Sequence, residues 1–191
     1  MSTALVPTSA ATEPLVPAPV PAPALSRTAS TLIVLSVLGI SAAVGRRNAP
    51  DPSHPGTRRW YQRLDKPSYT PPDAVFGAVW PVLETGLAVG GYRLLRQPAG
   101  QQRTRAVALW AVNSAMVGGW TEIFFRKHAL RSSAVVAGTM VATGGAYVAA
   151  AAKADRPAAL LGVPFVGWLG FATLLASRIC ARNPGPRAGP I

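Results

Sequence analysis

Glu84 has the most chemistry to explain. It falls near the middle of an apolar stretch running from Ala74 to Leu95. A lipid-facing carboxyl group at such a depth costs about 2.5–3.5 kcal/mol on insertion scales. Glu84 must therefore face a cavity, find a hydrogen-bond partner or hold a proton. Trp80 stands four residues earlier and Phe76 four before that, so all three share one face of a helix. An indole wall beside a carboxyl anchor is the usual makeup of a ligand pocket. The competing reading is a neutral Glu bonded to a neighbouring helix.

A second stripe contains Trp110, Asn113, Val117, Trp120 and Phe124, at spacings of 3, 4, 3 and 4. Such a stripe is either core or, given a polar Asn between two indoles, part of a site. A third group, in PFVGWLGFA, places Phe165, Trp168 and Phe171 within two helical turns. Pro164 ahead of it removes a helix hydrogen bond and predicts a kink. Glu122 pairs with Arg126 at i+4 and reads as structural.

Other chemistries lack their residues. There is no GxxxxGK[ST] loop and no HExxH motif. His54 and His128 stand in different loops without a Ser or Cys partner, and Cys180 is the single cysteine. A hydrolase, an ATP-driven pump and a thiolate metal cluster are thus disfavoured.

These residues need helices in a membrane to position them. The 191 residues are 49% hydrophobic and only 14% charged, against about a quarter charged in soluble domains. Five apolar segments, about Thr28–Gly45, Ala74–Leu95, Ala106–Phe125, Ser132–Ala152 and Pro157–Ser177, each have the roughly 17–25 residues that cross a bilayer as a helix. Ser30 or Thr31 suits the start of the first as a cap, Pro72 the second and Pro157 the fifth. The expected fold is an all-α integral membrane protein, a five-transmembrane-helix bundle over residues 28–183 with a structured first loop. Residues 1–27, rich in Pro and Ala, read as a disordered or extended tail and 184–191 as a flexible one.

Net charge is +12. The arginines flank apolar segments with no nucleic-acid motif beside them, so anionic lipid headgroups, not nucleic acid, are the expected partners. Five spans put the first loop, third loop and C-terminus on one side, with twelve of the nineteen Lys and Arg. The more basic side faces the cytoplasm, which puts the C-terminus inside and the N-terminus outside. An i+4 row of small residues, Ala134, Gly138, Ala142, Ala146 and Ala150, lets helices approach closely. It serves packing within the bundle or a homodimer face.

The stretch from Trp60 to Trp80, WYQRLDKPSYTPPDAVFGAVW, reads as a basic, aromatic loop stiffened by Pro67, Pro71 and Pro72, a lid over something apolar. Its Trp60-Tyr61, Leu64, Lys66-Pro67, Pro71-Pro72, Phe76 and Val79-Trp80 resemble the hallmark loop of the translocator protein family, also called TspO or tryptophan-rich sensory proteins. WTEIFF at Trp120–Phe125, then Asp155, Ala158, Leu160-Leu161 and PFVGWLGFA at Pro164–Ala172, follow in the family's order. The resemblance covers roughly residues 28–183 and suggests a divergent bacterial member, placed in the plasma membrane.

The resemblance implies a five-helix bundle, often dimeric, whose pocket is closed by the first loop and takes porphyrins and other tetrapyrroles. No cofactor is required. Trp60, Tyr61, Trp80, Trp120 and Trp168 would then be pocket or lid residues, joined by Glu84, Asn113 and Phe165 as candidates from this chain. Arg63 and Lys66 would meet a porphyrin's propionates. The chain departs from the family at Glu84, where an aromatic is common, and at Val117 and Ala176, where Asn is. LLASR lacks the Tyr of the sterol motif. The leading expectation is a receptor or carrier for a planar amphipathic ligand. Its alternatives are light-dependent porphyrin degradation through Trp80 and Trp168, and proton-coupled transport through Glu84.

Overall fold

The computed structural model describes residues 24–184. The tails expected over 1–27 and 184–191 lie almost wholly outside the described residues. Arg27 already belongs to a helix.

Among the described residues six α-helices follow one another: α1 Arg27–Asn48, α2 Pro55–Arg63, α3 Asp73–Leu95, α4 Gln101–Thr121, α5 Leu130–Ala154 and α6 Arg156–Arg182. One π-helical turn, Glu122–Arg126, continues α4. Local chemistry sets most of the boundaries. The Ser26 hydroxyl, not Ser30 or Thr31, caps α1 by accepting from the Ala29 N–H at 3.1 Å. The helix starts a turn earlier than expected and leaves Ser30 fully buried. It stops at Asn48 because Ala49 precedes Pro50, and a residue before proline is driven to extended backbone; Ala49 has ψ 145°. Pro55 opens α2 with the fixed φ that a first helical turn needs. Pro72 ends the extended linker ahead of α3, and Asp73 then meets the positive end of that helix.

Five helices are longer than twenty residues. Four of them, α1, α3, α5 and α6, are long and apolar enough to cross a membrane. The fifth expected span, α4, has the length but not the composition. It opens on Gln101, Gln102, Arg103 and Arg105 and carries Asn113 and Ser114 inside. The long helices close a ring in the order α1, α4, α5, α6, α3 and back to α1, with α3 and α4 also touching across it. Leu32, Leu35, Ile40, Val82, Val135 and Leu160 are exposed on the outside, an apolar belt of the kind lipid covers.

Close approach inside the ring depends on small residues. A β-carbon on Gly91 would sit 2.3 Å from the Trp110 ring, and one on Gly162 2.5 Å from the Tyr147 ring. The small-residue row of α5 runs along the edge of that helix's buried face. Ala150 is buried, Ala134, Gly138 and Ala146 are half-buried, and Ala142 is exposed, so most of the row packs within the chain.

The two ends of the bundle differ. Where α5 meets α6, buried Asp155 accepts from Arg93 through Oδ1 (3.0 Å) and Oδ2 (3.1 Å) and from Gln97 at 2.7 Å, and it caps α6 by accepting from the Ala158 N–H at 2.8 Å. That end is tightly joined. At the other end the helices part.

Candidate functional site

The parted end encloses a cavity of about 660 Å³, within the range of ordinary small-molecule sites. Five helices supply its walls. On α3 the spacing read from the sequence holds: Phe76, Trp80 and Glu84 all line the cavity, with Asp73 at its outer edge. Helix α4 adds Val117 and Trp120, and its π-helical turn adds Phe124 and Phe125. Trp168 and Leu169 come from α6, and Met140 and Ala137 from α5. The C-terminal part of α1 brings Arg46.

The aromatic side chains form two continuous sets. Trp120 stacks on Phe124 with centroids 4.8 Å apart, and Phe124 meets Phe125 edge-on at the same distance. In the second set Phe76 meets Trp168 edge-on at 5.7 Å. The Trp120 indole N–H donates to the Ser133 carbonyl at 2.9 Å, which fixes that ring. Placing such rings on helices holds the wall more rigidly than loops would.

The first loop is structured, and part of it, Pro55–Arg63, is a helix that the sequence reading did not specify. Trp60 and Tyr61 sit on α2, whose inner side meets the π-helical turn. Tyr61 packs edge-on against Phe125 at 5.6 Å and lines the cavity. Burial, helped by Asp73, pushes its phenol up to about 12, so it remains a neutral hydroxyl. Trp60 lies behind it and stacks on the His128 ring at 3.9 Å. His128 has φ 52°, the left-handed conformation in which His is more frequent than most residues. The linker beyond α2 is tied to the end of α6. The Asp65 N–H donates to Asn183 at 3.0 Å, the Asn183 amide donates back to the Asp65 carbonyl at 2.9 Å, and Arg182 reaches the Asp65 carboxylate at 3.2 Å. The lid is therefore pinned on both sides.

Of the eight candidates, Tyr61, Trp80, Glu84, Trp120 and Trp168 come together around the cavity, and Trp60 braces its lid. Asn113 and Phe165 stand apart from it. Asn113 is fully buried, donating to the Leu109 carbonyl at 2.8 Å and accepting from the Thr143 hydroxyl at 3.0 Å. It joins α4 to α5. Phe165 is fully buried in the main core. Both belong to the half of the bundle where the helices are closest.

The cations also differ from expectation. Lys66 donates to the Tyr61 carbonyl at 2.9 Å and lies 3.9 Å over the Tyr61 ring, so it holds the lid. Arg63 is exposed on α2 away from the lining. Arg46 is the cation that lines the cavity; from sequence it counted only toward orientation. Phe125, Asp73 and His128 also went unrecognised as parts of the site. The signal for Phe125 was present, since it closes the same WTEIFF run as Trp120.

A sequence model of the TspO/MBR family matches residues 30–182. The chain is 32% identical over 137 residues to a translocator protein of Ovis aries, covering 69% of this chain and 79% of that protein. It is 29% identical over 129 residues to protein CrtK of Rhodobacter capsulatus, covering 67% of this chain and 81% of that one. It is also 29% identical over 160 residues to a tryptophan-rich sensory protein of Cereibacter sphaeroides, covering 82% and 95%.

Proposed function

Since the chain belongs to the TspO/MBR family, we propose that it is a membrane receptor or carrier that holds a planar amphipathic ligand, a porphyrin above all, in the cavity beneath α2. The observation that carries this reading is the cavity itself: a space of ligand size lined by two sets of aromatic side chains, at the end of the bundle that carries the first loop. Flat aromatic surfaces stack favourably on such rings. Arg46 at the edge supplies the charge-assisted contact that a porphyrin carboxylate needs. The names of the relatives, translocator protein and tryptophan-rich sensory protein, accord with a receptor or carrier.

In this reading α4 crosses the bilayer with the other four long helices. Its 21 residues span roughly 31 Å at 1.5 Å each, close to the thickness of a hydrocarbon core, and it is held between α1 and α5. Its polar groups turn inward: Asn113 and Ser114 are buried and hydrogen-bonded. The cavity end carries the first loop and the end of α6, and the excess of basic residues read from the sequence supports a cytoplasmic position for it.

The test is titration of purified protein in mild detergent with protoporphyrin, followed by porphyrin absorbance. Trp168→Ala and Trp80→Ala should each weaken binding about tenfold or more, the scale of one lost stacking platform. Ala137→Trp, which places an indole in the cavity, should abolish saturable binding. If all three variants bind like the unaltered protein, the cavity is not the site.

A further inference from the structure

The acidic residues of this basic chain are distributed unevenly. Six of the seven lie among the described residues. Four have a partner: Asp51 with His54 at 3.1 Å, Asp65 with Arg182 at 3.2 Å, Asp155 with Arg93 at 3.0 Å, and Glu122 with Lys127 at 3.7 Å. Asp73 and Glu84 have no ion-pair partner among the described residues, and both line the cavity. Asp73 has a local role, since it is exposed in the first turn of α3 where an acid favours the helix. Glu84 has none. It is half-buried, eleven residues or roughly 16 Å further along the same face, and no hydrogen-bond donor of the described residues reaches it.

A carboxyl group in an apolar wall is costly unless something bonds to it. No group of the described residues donates to it. Of the polar groups lining the cavity, the Ser41 hydroxyl donates to the Ser114 carbonyl, that of Thr121 to Gly118, and the Trp120 indole to Ser133, while the Trp168 indole N–H is buried without a partner and makes no bond to Glu84. What would complete the site is a donor brought by the occupant. We propose that Glu84 is the specificity-determining residue of the cavity, selecting ligands that carry a nitrogen-borne proton, an N–H or a protonated amine, on an aromatic body. This rests on the cavity being a ligand site. A free-base porphyrin fits the class, because it offers ring N–H groups along with carboxylates for Arg46. An aromatic carboxylate without an N–H does not.

The test uses the full chain in nanodiscs of neutral lipid, with three probes on one ring frame: 9-(aminomethyl)anthracene, 9-anthracenecarboxylate and the donor-free 9-methylanthracene. The amine should bind about tenfold more tightly than the carboxylate, the scale of one hydrogen bond to a charged group. Glu84→Gln should erase that gap by weakening the amine, with the methyl probe and the melting temperature unmoved. A gap that is absent from the unaltered protein, or that survives in Glu84→Gln, overturns the role of Glu84. In that case loss of all three probes in Ala137→Trp would still uphold the ligand site. If Ala137→Trp binds every probe normally, the probes are not in the cavity and both readings fall.

Discussion

Gly91→Ala is expected to destabilise the protein by about 1–3 kcal/mol, the cost of overpacking a tight core, and Gly91→Val by more. An added β-carbon would lie 2.3 Å from Cε2 of Trp110 and 2.6 Å from Nε1. These are rigid ring atoms of a side chain that is 2% exposed, so the indole cannot turn aside without moving its neighbours. The helix-propensity gain of alanine, about 1 kcal/mol, opposes the clash but does not cancel it. Gly145→Ala is the matched control. It lies inside α5 with nothing within 4 Å of its would-be β-carbon, and the same substitution there should leave the melting temperature in detergent unchanged or slightly raised. Equal melting temperatures for the Gly91 and Gly145 variants would show that α3 and α4 do not meet as described.

The contact between Gly91 and Trp110 also marks where sequence reasoning stopped. The stripe Trp110, Asn113, Val117, Trp120, Phe124 was legible because helical periodicity is local. It fixes which side chains share a face. It does not fix how far away the facing helix lies. Near Trp110 and Asn113 the helices touch, and these residues became core. Two turns on, at Val117, Trp120 and Phe124, the same face opens onto the cavity. Phe165 and Trp168 divide in the same way on α6, one in the core and the other on the wall. Divergence of helices is a property of the whole ring, set by contacts such as Gly91 against Trp110 that join residues from different segments.

The first loop was expected to be structured, but its short helix was not legible, for a different reason. Its prolines and charges are turn signals, and α2 has only nine residues, too short to be stable alone. It is helical because Tyr61 and Trp60 dock on the aromatic side chains of the π-helical turn and on His128. That turn could not be foreseen either, since nothing in EIFFR distinguishes it from an ordinary helix end. Glu84, by contrast, was legible from one sequence alone, because a carboxyl group in an apolar run demands an explanation wherever its helix packs.

Asp155→Ala should cost about 3 kcal/mol, near the lower bound for breaking a buried charge pair. Asp155 has a side chain only 4% exposed, whereas Arg93 is 41% exposed and regains water when its partner is lost. That recovery is why the effect should fall at the low end. About 1 kcal/mol of it is the cap on α6, which Asp155→Asn should largely keep, so the Asn variant isolates the charge. The pH dependence separates the two contributions. Burial pushes the Asp155 carboxyl up, but bonds from Arg93, the Ala158 N–H and Gln97 outweigh it and hold the group below its ordinary value. A depressed carboxyl stabilises the fold at any pH above the unfolded value, about 3.9. That contribution disappears as pH falls through the folded value. Thermal unfolding in detergent should therefore show the gap between the unaltered protein and Asp155→Asn constant from pH 7 to about 5 and closing below about 4. A gap that widens in acid would mean that Asp155 is stabilised in its protonated form. The pair with Arg93 would then not be what joins α3 to the α5–α6 corner, and that end of the bundle would need another anchor.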